Sequence, residues 1–159
     1  MYEDFTSFDN EDWNGWENGT ATFDGRLQID GVGDRKNIYW TGTVDMGAEN
    51  RFEAAIKKTF NIDLSSALFS VDYDFRIRER PAGRQYFQII TTTPSFDVRL
   101  LTSVDSSTPL NQWLPGRTAT TNFFATSKEI QIGLWRASGM IERPRWEIDF
   151  DNIRVKERA

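Results

Sequence analysis

Apolar and polar side chains alternate with a period of two along most of the chain. In "FSVDYDFRIRE", Val71, Tyr73, Phe75 and Ile77 alternate with Asp72, Asp74, Arg76 and Arg78. That pattern predicts a strand with one buried and one polar face. "KEIQIGLWRA" places Ile130, Ile132 and Leu134 inward and Gln131, Gly133 and Trp135 outward. "RWEIDFDNIRV" directs Trp146, Ile148 and Phe150 inward, and "SFDVRLL" puts Phe96, Val98 and Leu100 on one side. "RFEAAIKKTF" sets Phe52, Ala54, Ile56 and Phe60 on one parity, against Arg51, Glu53, Lys57 and Thr59. A short helix competes there, because Glu53 and Lys57 stand four residues apart.

Turn signals separate the runs: "GVGD" at 31–34, "RPAG" at 80–83, "SVDSST" at 103–108, "LPG" at 114–116 and "ERP" at 142–144. Many short strands without a convincing long helix predict an all-β fold. The expected form is an antiparallel two-sheet β-sandwich in which each sheet shows one face to solvent. The 159 residues contain no internal repeat or low-complexity tract and fit one domain, 1–159.

Composition narrows the chemistry. The chain has 6 Trp, 12 Phe and 4 Tyr, enough for an aromatic-rich core. Its net charge is -5 and no Lys/Arg run stands out, which argues against nucleic acid as a partner. Neither cysteine nor histidine occurs, which excludes disulfides, most zinc, copper and haem sites, and every Cys- or His-based catalytic arrangement. A metal would need oxygen ligands, as Ca²⁺ and Mg²⁺ accept. No apolar run approaches a membrane span, so no membrane insertion is expected. "NGT" at Asn18 matches a glycosylation sequon, a match that needs a secretory route.

"FDNEDWNGW", residues 8–16, gathers two tryptophans and three carboxylates. A sugar platform, a metal loop, an interface patch or the start of a strand would all use such a stretch. Three further blocks follow it in order: "KTFNIDLSSALFSVDYDFRI", "NQWLPGRTATTNFFATSKEIQIGLWRAS" and the closing "FDNIRV". Together they resemble the jelly-roll carbohydrate-binding modules, the galactose-binding-like sandwiches found beside glycoside hydrolases. The resemblance spans roughly residues 5 to 155. It implies jelly-roll topology, with Phe8, Trp16, Trp113 and Trp146 in the core and Trp13 unassigned. It also implies a structural Ca²⁺ joining the opening acid, Asp9, to the closing-strand Asp151, with carbonyls of residues 9–12 completing the shell. The glycine that usually follows that acid is absent here. The alternative is that both aspartates are solvated or hydrogen-bonded turn residues.

A sugar site needs exposed aromatic rings for C–H faces, beside groups that pair with hydroxyls. Parity puts Trp135 and Gln131 on one outward face. Asp72, Asp74, Arg76 and Arg78 face outward on a second strand, and Asp97 and Arg99 on a third. If those strands share a sheet, they form one polar face with Tyr39 and Trp40 at its rim. The alternatives are that Trp135 packs under a loop or in a subunit contact, and that the Asp/Arg alternation is a salt-bridged solvated surface.

No pair of carboxylates is isolated by spacing, and no nucleophile–base or phosphate-loop motif occurs, so a non-catalytic role is expected. Two functions follow. One is a glycan-binding module, with a glycan or cell-surface polysaccharide as partner. The other is a structural virion accessory, a capsid decoration or tail-associated protein contacting other virion subunits. "MYEDFTSFDNEDW" lacks the basic and apolar regions of a signal peptide. A module without leader or attached enzyme suits release by lysis, so the expected location is extracellular or on a virion surface.

Overall fold

Eleven strands form two antiparallel sheets in the computed structural model, which describes residues 1–31, 33, 36–45, 51–81, 87–118, 122–123, 127–136 and 145–158. In chain order they are β1 (Glu3–Thr6), β2 (Trp16–Asn18), β3 (Arg26–Asp30), β4 (Asn37–Asp45), β5 (Arg51–Thr59) and β6 (Leu68–Glu79). Then come β7 (Phe87–Thr92), β8 (Arg99–Val104), β9 (Leu114–Arg117), β10 (Glu129–Arg136) and β11 (Arg145–Arg158). The first sheet has the order β3-β4-β11-β6-β9, with β1 also paired to β11. The second has the order β2-β5-β10-β7-β8. This is the all-β antiparallel sandwich expected from the alternation.

The inward parities of three strands are as read from the sequence. Val71, Tyr73, Phe75 and Ile77 of β6, Ile130, Ile132 and Leu134 of β10, and Trp146, Ile148 and Phe150 of β11 are all in the buried core. Phe8 and Trp16 join them, and Trp13 packs partly buried against the same cluster with its ring edge-on to Phe8. Two buried indoles find polar partners, as burial of an N–H demands. Trp16 Nε1 donates to Thr6 Oγ1 at 3.1 Å and Trp40 Nε1 to Asn18 Oδ1 at 3.0 Å. The Asn18 amide also donates to the Gly25 carbonyl, so the sequon asparagine is engaged between the sheets.

Residues 51–59 form a strand, not a helix, and a bulge changes which of them are buried. Ile132 pairs with Ile56, but Gly133 pairs with Ala54, leaving Ala55 as the extra residue. Beyond the bulge the parity reverses. Ile56 and Ala55 enter the core, while Ala54 and Phe52 stand beside Gly133 and Trp135 on the outer face. The expectation that Phe52 and Ala54 share the buried side of Ile56 is therefore corrected. Gly133 permits the close approach: a Cβ there would lie 2.1 Å from the Glu53 carbonyl oxygen.

Other expectations also change. "LPG" is not a turn but most of β9, and Pro115 is tolerated because β9 is an edge strand. Phe96 and Val98 precede β8 and are exposed, while Asp97, expected to face outward, is buried against Thr93. The signal at 142–144, parts of those at 31–34 and 80–83, and the Leu100 side chain lie outside the described residues.

Gly133→Ala is expected to destabilise the protein by roughly 1–3 kcal/mol, because the new methyl must displace backbone. Urea denaturation of the variant against the wild type measures it.

Candidate functional site

The outer face of the second sheet has three cross-strand rows. Glu17, Lys57, Gln131 and Thr92 form one row, and Ala54, Gly133 and Ile90 the next. Phe52, Trp135 and Gln88 form the third. The middle row is low, since Gly133 has no side chain and Ala54 only a methyl. An aromatic wall therefore flanks one side of a shallow strip and a polar wall the other. On the polar side, Gln131 Nε2 donates to Glu129 Oε2 at 3.0 Å, and Lys57 Nζ lies 3.6 Å from Glu17 Oε1.

The aromatic wall is completed by a loop. Phe96 packs against Phe52, with ring centroids 6.1 Å apart, and against Trp135 at 5.7 Å. Gln88, Ile90, Phe96, Val98 and Trp135 line a pocket of about 150 Å³. Phe96 and Val98 remain 45% and 37% exposed, unusual for apolar side chains so close together. Phe96 also has φ of 66°, in the left-handed region, which costs a non-glycine residue on the order of 1–2 kcal/mol. The Phe96 N–H donates to the Thr93 carbonyl at 2.8 Å, and the Asp97 N–H to Thr93 Oγ1 at 3.4 Å, so the turn holds this conformation. Strain that presents an exposed ring on a sheet face points to a role for that ring.

Of the residues expected to form one polar face, Trp135 and Gln131 are on this one. Asp72, Asp74 and Arg76 are on β6 in the first sheet, so they occupy the opposite outer face of the sandwich. The condition that these strands share a sheet is not met. Trp40 is wholly buried, stacked 5.7 Å from Phe150, and forms no rim. Tyr39 is also buried, under Trp113 with ring centroids 5.4 Å apart. Trp113 is accordingly not a core residue but a cover on the outside of the first sheet. Arg99 sits over the Phe123 ring at 5.6 Å, and its register partner Thr91 is buried, so it too is absent from the aromatic face.

Arg76 has a structural place. Its guanidinium lies 4.7 Å from both the Tyr39 and Trp113 rings. Its Nε donates to Asp149 Oδ2 at 2.8 Å and its Nη2 to Asp30 Oδ2 at 3.2 Å. Tyr39 donates its hydroxyl proton to Asp30 at 2.9 Å, and Arg78 Nε stands 3.4 Å from the fully buried Asp149. This network clamps the segment carrying Trp113 onto the sheet and leaves Arg76 little capacity for a ligand.

Asp151 is buried beside Asp74, its register partner on β6. Burial pushes its carboxyl up to about 7, and the Asp74 and Asp9 carboxylates push the same way. The Asn152 N–H and the Asn37 side chain oppose the shift. Asp9 is thus within electrostatic reach of Asp151, although it is exposed and accepts a hydrogen bond from Ser7. Among the described residues, no three carboxylates converge closely enough to hold an ion by themselves.

No protein-family model and no curated protein matches the sequence. Solved structures do match. The Clostridium thermocellum endo-1,4-β-D-xylanase 10B CBM22-1–GH10 modules, complexed with xylohexaose, align over 99% of this chain and 29% of that one, with 12% identity and a TM-score of 0.60. The C-terminal family 22 carbohydrate-binding module of the same xylanase aligns over 97% of this chain and 91% of that one, at 10% identity and TM-score 0.58. The xylan-binding module CBM15 aligns over 98% and 96%, at 13% identity and TM-score 0.54. The chain has the fold of the β-sandwich carbohydrate-binding modules. It spans less than a third of the first of these chains and nearly all of the other two. The sequence resemblance and the shared fold agree over nearly the whole length.

Phe52, Gln88, Ile90 and Phe96 were not singled out as site residues in the sequence. The only signal for Phe96 is its place after Pro94 and Ser95 in a turn, and Phe52 reads as core until the bulge is known.

A carboxyl raised from 3.8 in the unfolded chain to about 7 in the fold favours the native state only while it is protonated. Its contribution is complete below pH 3.8 and is lost as pH rises through about 7. In chelator-containing buffer, the Asp151 contribution is expected to fall across that window, and Asp151→Asn to flatten the profile. Thermal unfolding of both proteins as a function of pH measures it.

Proposed function

We propose that the protein is a non-catalytic glycan-binding module whose binding face is the outer surface of the β2-β5-β10-β7-β8 sheet. The observation that carries this reading is the strained Phe96 ring set beside Trp135 and Phe52 on a sheet face of this fold. Aromatic rings stack on the C–H faces of pyranose units, and the Gln88 and Gln131 amides both donate to and accept from hydroxyls. The only charges in the three rows, Lys57 and Glu17, pair with each other, which favours an uncharged polysaccharide such as the xylan named for the similar modules. Display on the surface of a larger assembly, outside the cell or on a virion, is the proposed setting.

We further propose a structural Ca²⁺ held by Asp151 and Asp9. Asp151, pushed up mainly by burial and further by the Asp74 and Asp9 carboxylates, is a group that a hard divalent cation would relieve. The Asn37 side chain already engages Asp151, and its amide oxygen and nearby carbonyls suit the same ion. Its role would be to tie the β1 end of the chain to β11.

Trp135→Ala is expected to weaken binding by tenfold or more, measured on a glycan array and then by calorimetry with xylohexaose. Phe96→Gly is expected to weaken binding too, with little change in melting temperature, since glycine relieves the left-handed strain. Silence of the wild type across a broad array would overturn the glycan reading. Loss of particle attachment in Trp135→Ala, with no glycan phenotype, would assign the same face to a subunit contact. For the ion, chelator is expected to lower the melting temperature; an unchanged value removes the calcium.

A further inference from the structure

We infer a second saccharide site, in a groove on the outer face of the first sheet, pointing away from the aromatic face; it rests on the glycan-binding reading above. Four strands present one row across this groove. Phe5 of β1 pairs with Arg154 of β11, Arg154 with Asp72 of β6, and Asp72 with Arg117 of β9. The next row brings Asn152, Asp74 and Pro115 alongside. Together they bound a groove of about 390 Å³, within the range of about 300–1,000 Å³ usual for small-molecule sites. On the inner side of β9, Gly116 lies flat against its register partner Tyr73, which seats the edge strand: a Cβ there would come 2.6 Å from the ring.

Two details separate this groove from an ordinary charged surface. Opposed cross-strand charges normally pair, yet Asp72 and Arg117 form no ion pair or hydrogen bond among the described residues. Nearby groups are engaged. Asn152, at φ 50° on the β11 bulge, donates its amide to Asp74 Oδ2 at 2.9 Å. Arg154 lies 4.9 Å from the Phe5 ring and 3.3 Å from Glu3. The site is thus framed, with Asp72 and Arg117 side by side on adjacent strands and unbonded to each other among the described residues.

The ligand class follows from the charges. Two carboxylates and two guanidiniums balance, so an anion meets Asp72 and Asp74 and a cation meets Arg117 and Arg154. A hydroxyl donates and accepts at once. A sugar can therefore give a proton to Asp72 and accept from Arg117 with adjacent hydroxyls. Phe5, still 46% exposed, offers an apolar surface at the end of the row. The groove accounts for the Asp72 and Asp74 pair that the aromatic face does not use.

The test is an amide chemical-shift titration of the ¹⁵N-labelled chain with xylohexaose, and separately with cellohexaose and with β-1,4-galactotriose. With at least one sugar, amides of residues 115–117 and 152–154 should move along with those of β5 and β10. In Trp135→Ala the first set should still move, and calorimetry should fall from two sugars per chain to one. Asp72→Asn combined with Arg117→Ala should abolish movement of the first set alone. Arg117→Ala by itself, on the exposed edge strand, serves if the double variant does not fold. Movement confined to β5 and β10 overturns the groove and spares the aromatic face. Movement confined to the groove spares this inference and removes the aromatic-face site, and silence on both faces overturns both.

Discussion

The second sheet depends on a single close approach of backbone to backbone. At Gly133 the β10 chain comes so near the Glu53 carbonyl that no side chain fits. That contact accommodates the bulge, and the bulge sets the register of every residue beyond it. Without it, Trp135 would stand opposite Glu53 instead of Phe52. The ring pair, the seat for Phe96 and the shallow strip beside them all follow from this one-residue shift. A slip of one residue exchanges the two faces of a strand, so a bulge is an economical way to convert a core position into a surface one.

The two outer faces of the sandwich solve opposite problems. On the second sheet, apolar rings remain exposed, and at the polar margin Lys57 pairs with Glu17 while Glu129 accepts from Gln131. On the first sheet, charge is plentiful, and part of it is taken out of water. Asp149 is fully buried and would be strongly unfavourable alone. Two arginines approach it, and Tyr39 and Trp113 enclose the Arg76 guanidinium. The weaker hydration of guanidinium and its flat shape allow this stacking, which lysine would not reproduce. Farther along the same face Asp151 is buried, and loss of water, with Asp74 and Asp9 nearby, raises its carboxyl. Nearby, Asp72 and Arg117 line the groove, unbonded to each other among the described residues. One strand, β6, therefore carries outward residues with different roles: Arg76 secures a loop, Asp74 borders buried Asp151, and Asp72 lines the groove.

Much of this architecture was legible in the residues. Alternation marked β6, β10 and β11 and named their buried sides, because a period of two is a property of the extended backbone itself. The order of blocks from "FDNEDWNGW" to "FDNIRV" pointed to the jelly-roll module fold, and the lack of histidine and cysteine removed whole classes of chemistry. Outward placement of Trp135 and Gln131 followed from the same parity. Of the opening nine residues, Phe8 and Trp16 went to the core as read, and Trp13 lies partly buried at its margin.

What the chain alone left undecided was every question of which strands are neighbours. Parity states that Trp135 and Asp72 both face outward, but it carries no information on whether they face the same way. That is fixed by sheet membership, which arises from contacts between residues far apart in sequence. Trp40 and Tyr39 are adjacent, yet one enters the core and the other supports Trp113 on the outside, because adjacent strand residues point to opposite faces. The bulge that exposes Phe52 and the turn that turns Phe96 onto it are likewise tertiary events. The first depends on a backbone contact between β5 and β10, and the second on the Thr93 hydrogen bonds that hold a left-handed residue. Local pattern determined the strands and their faces; long-range packing decided which faces meet, and so where a ligand can sit.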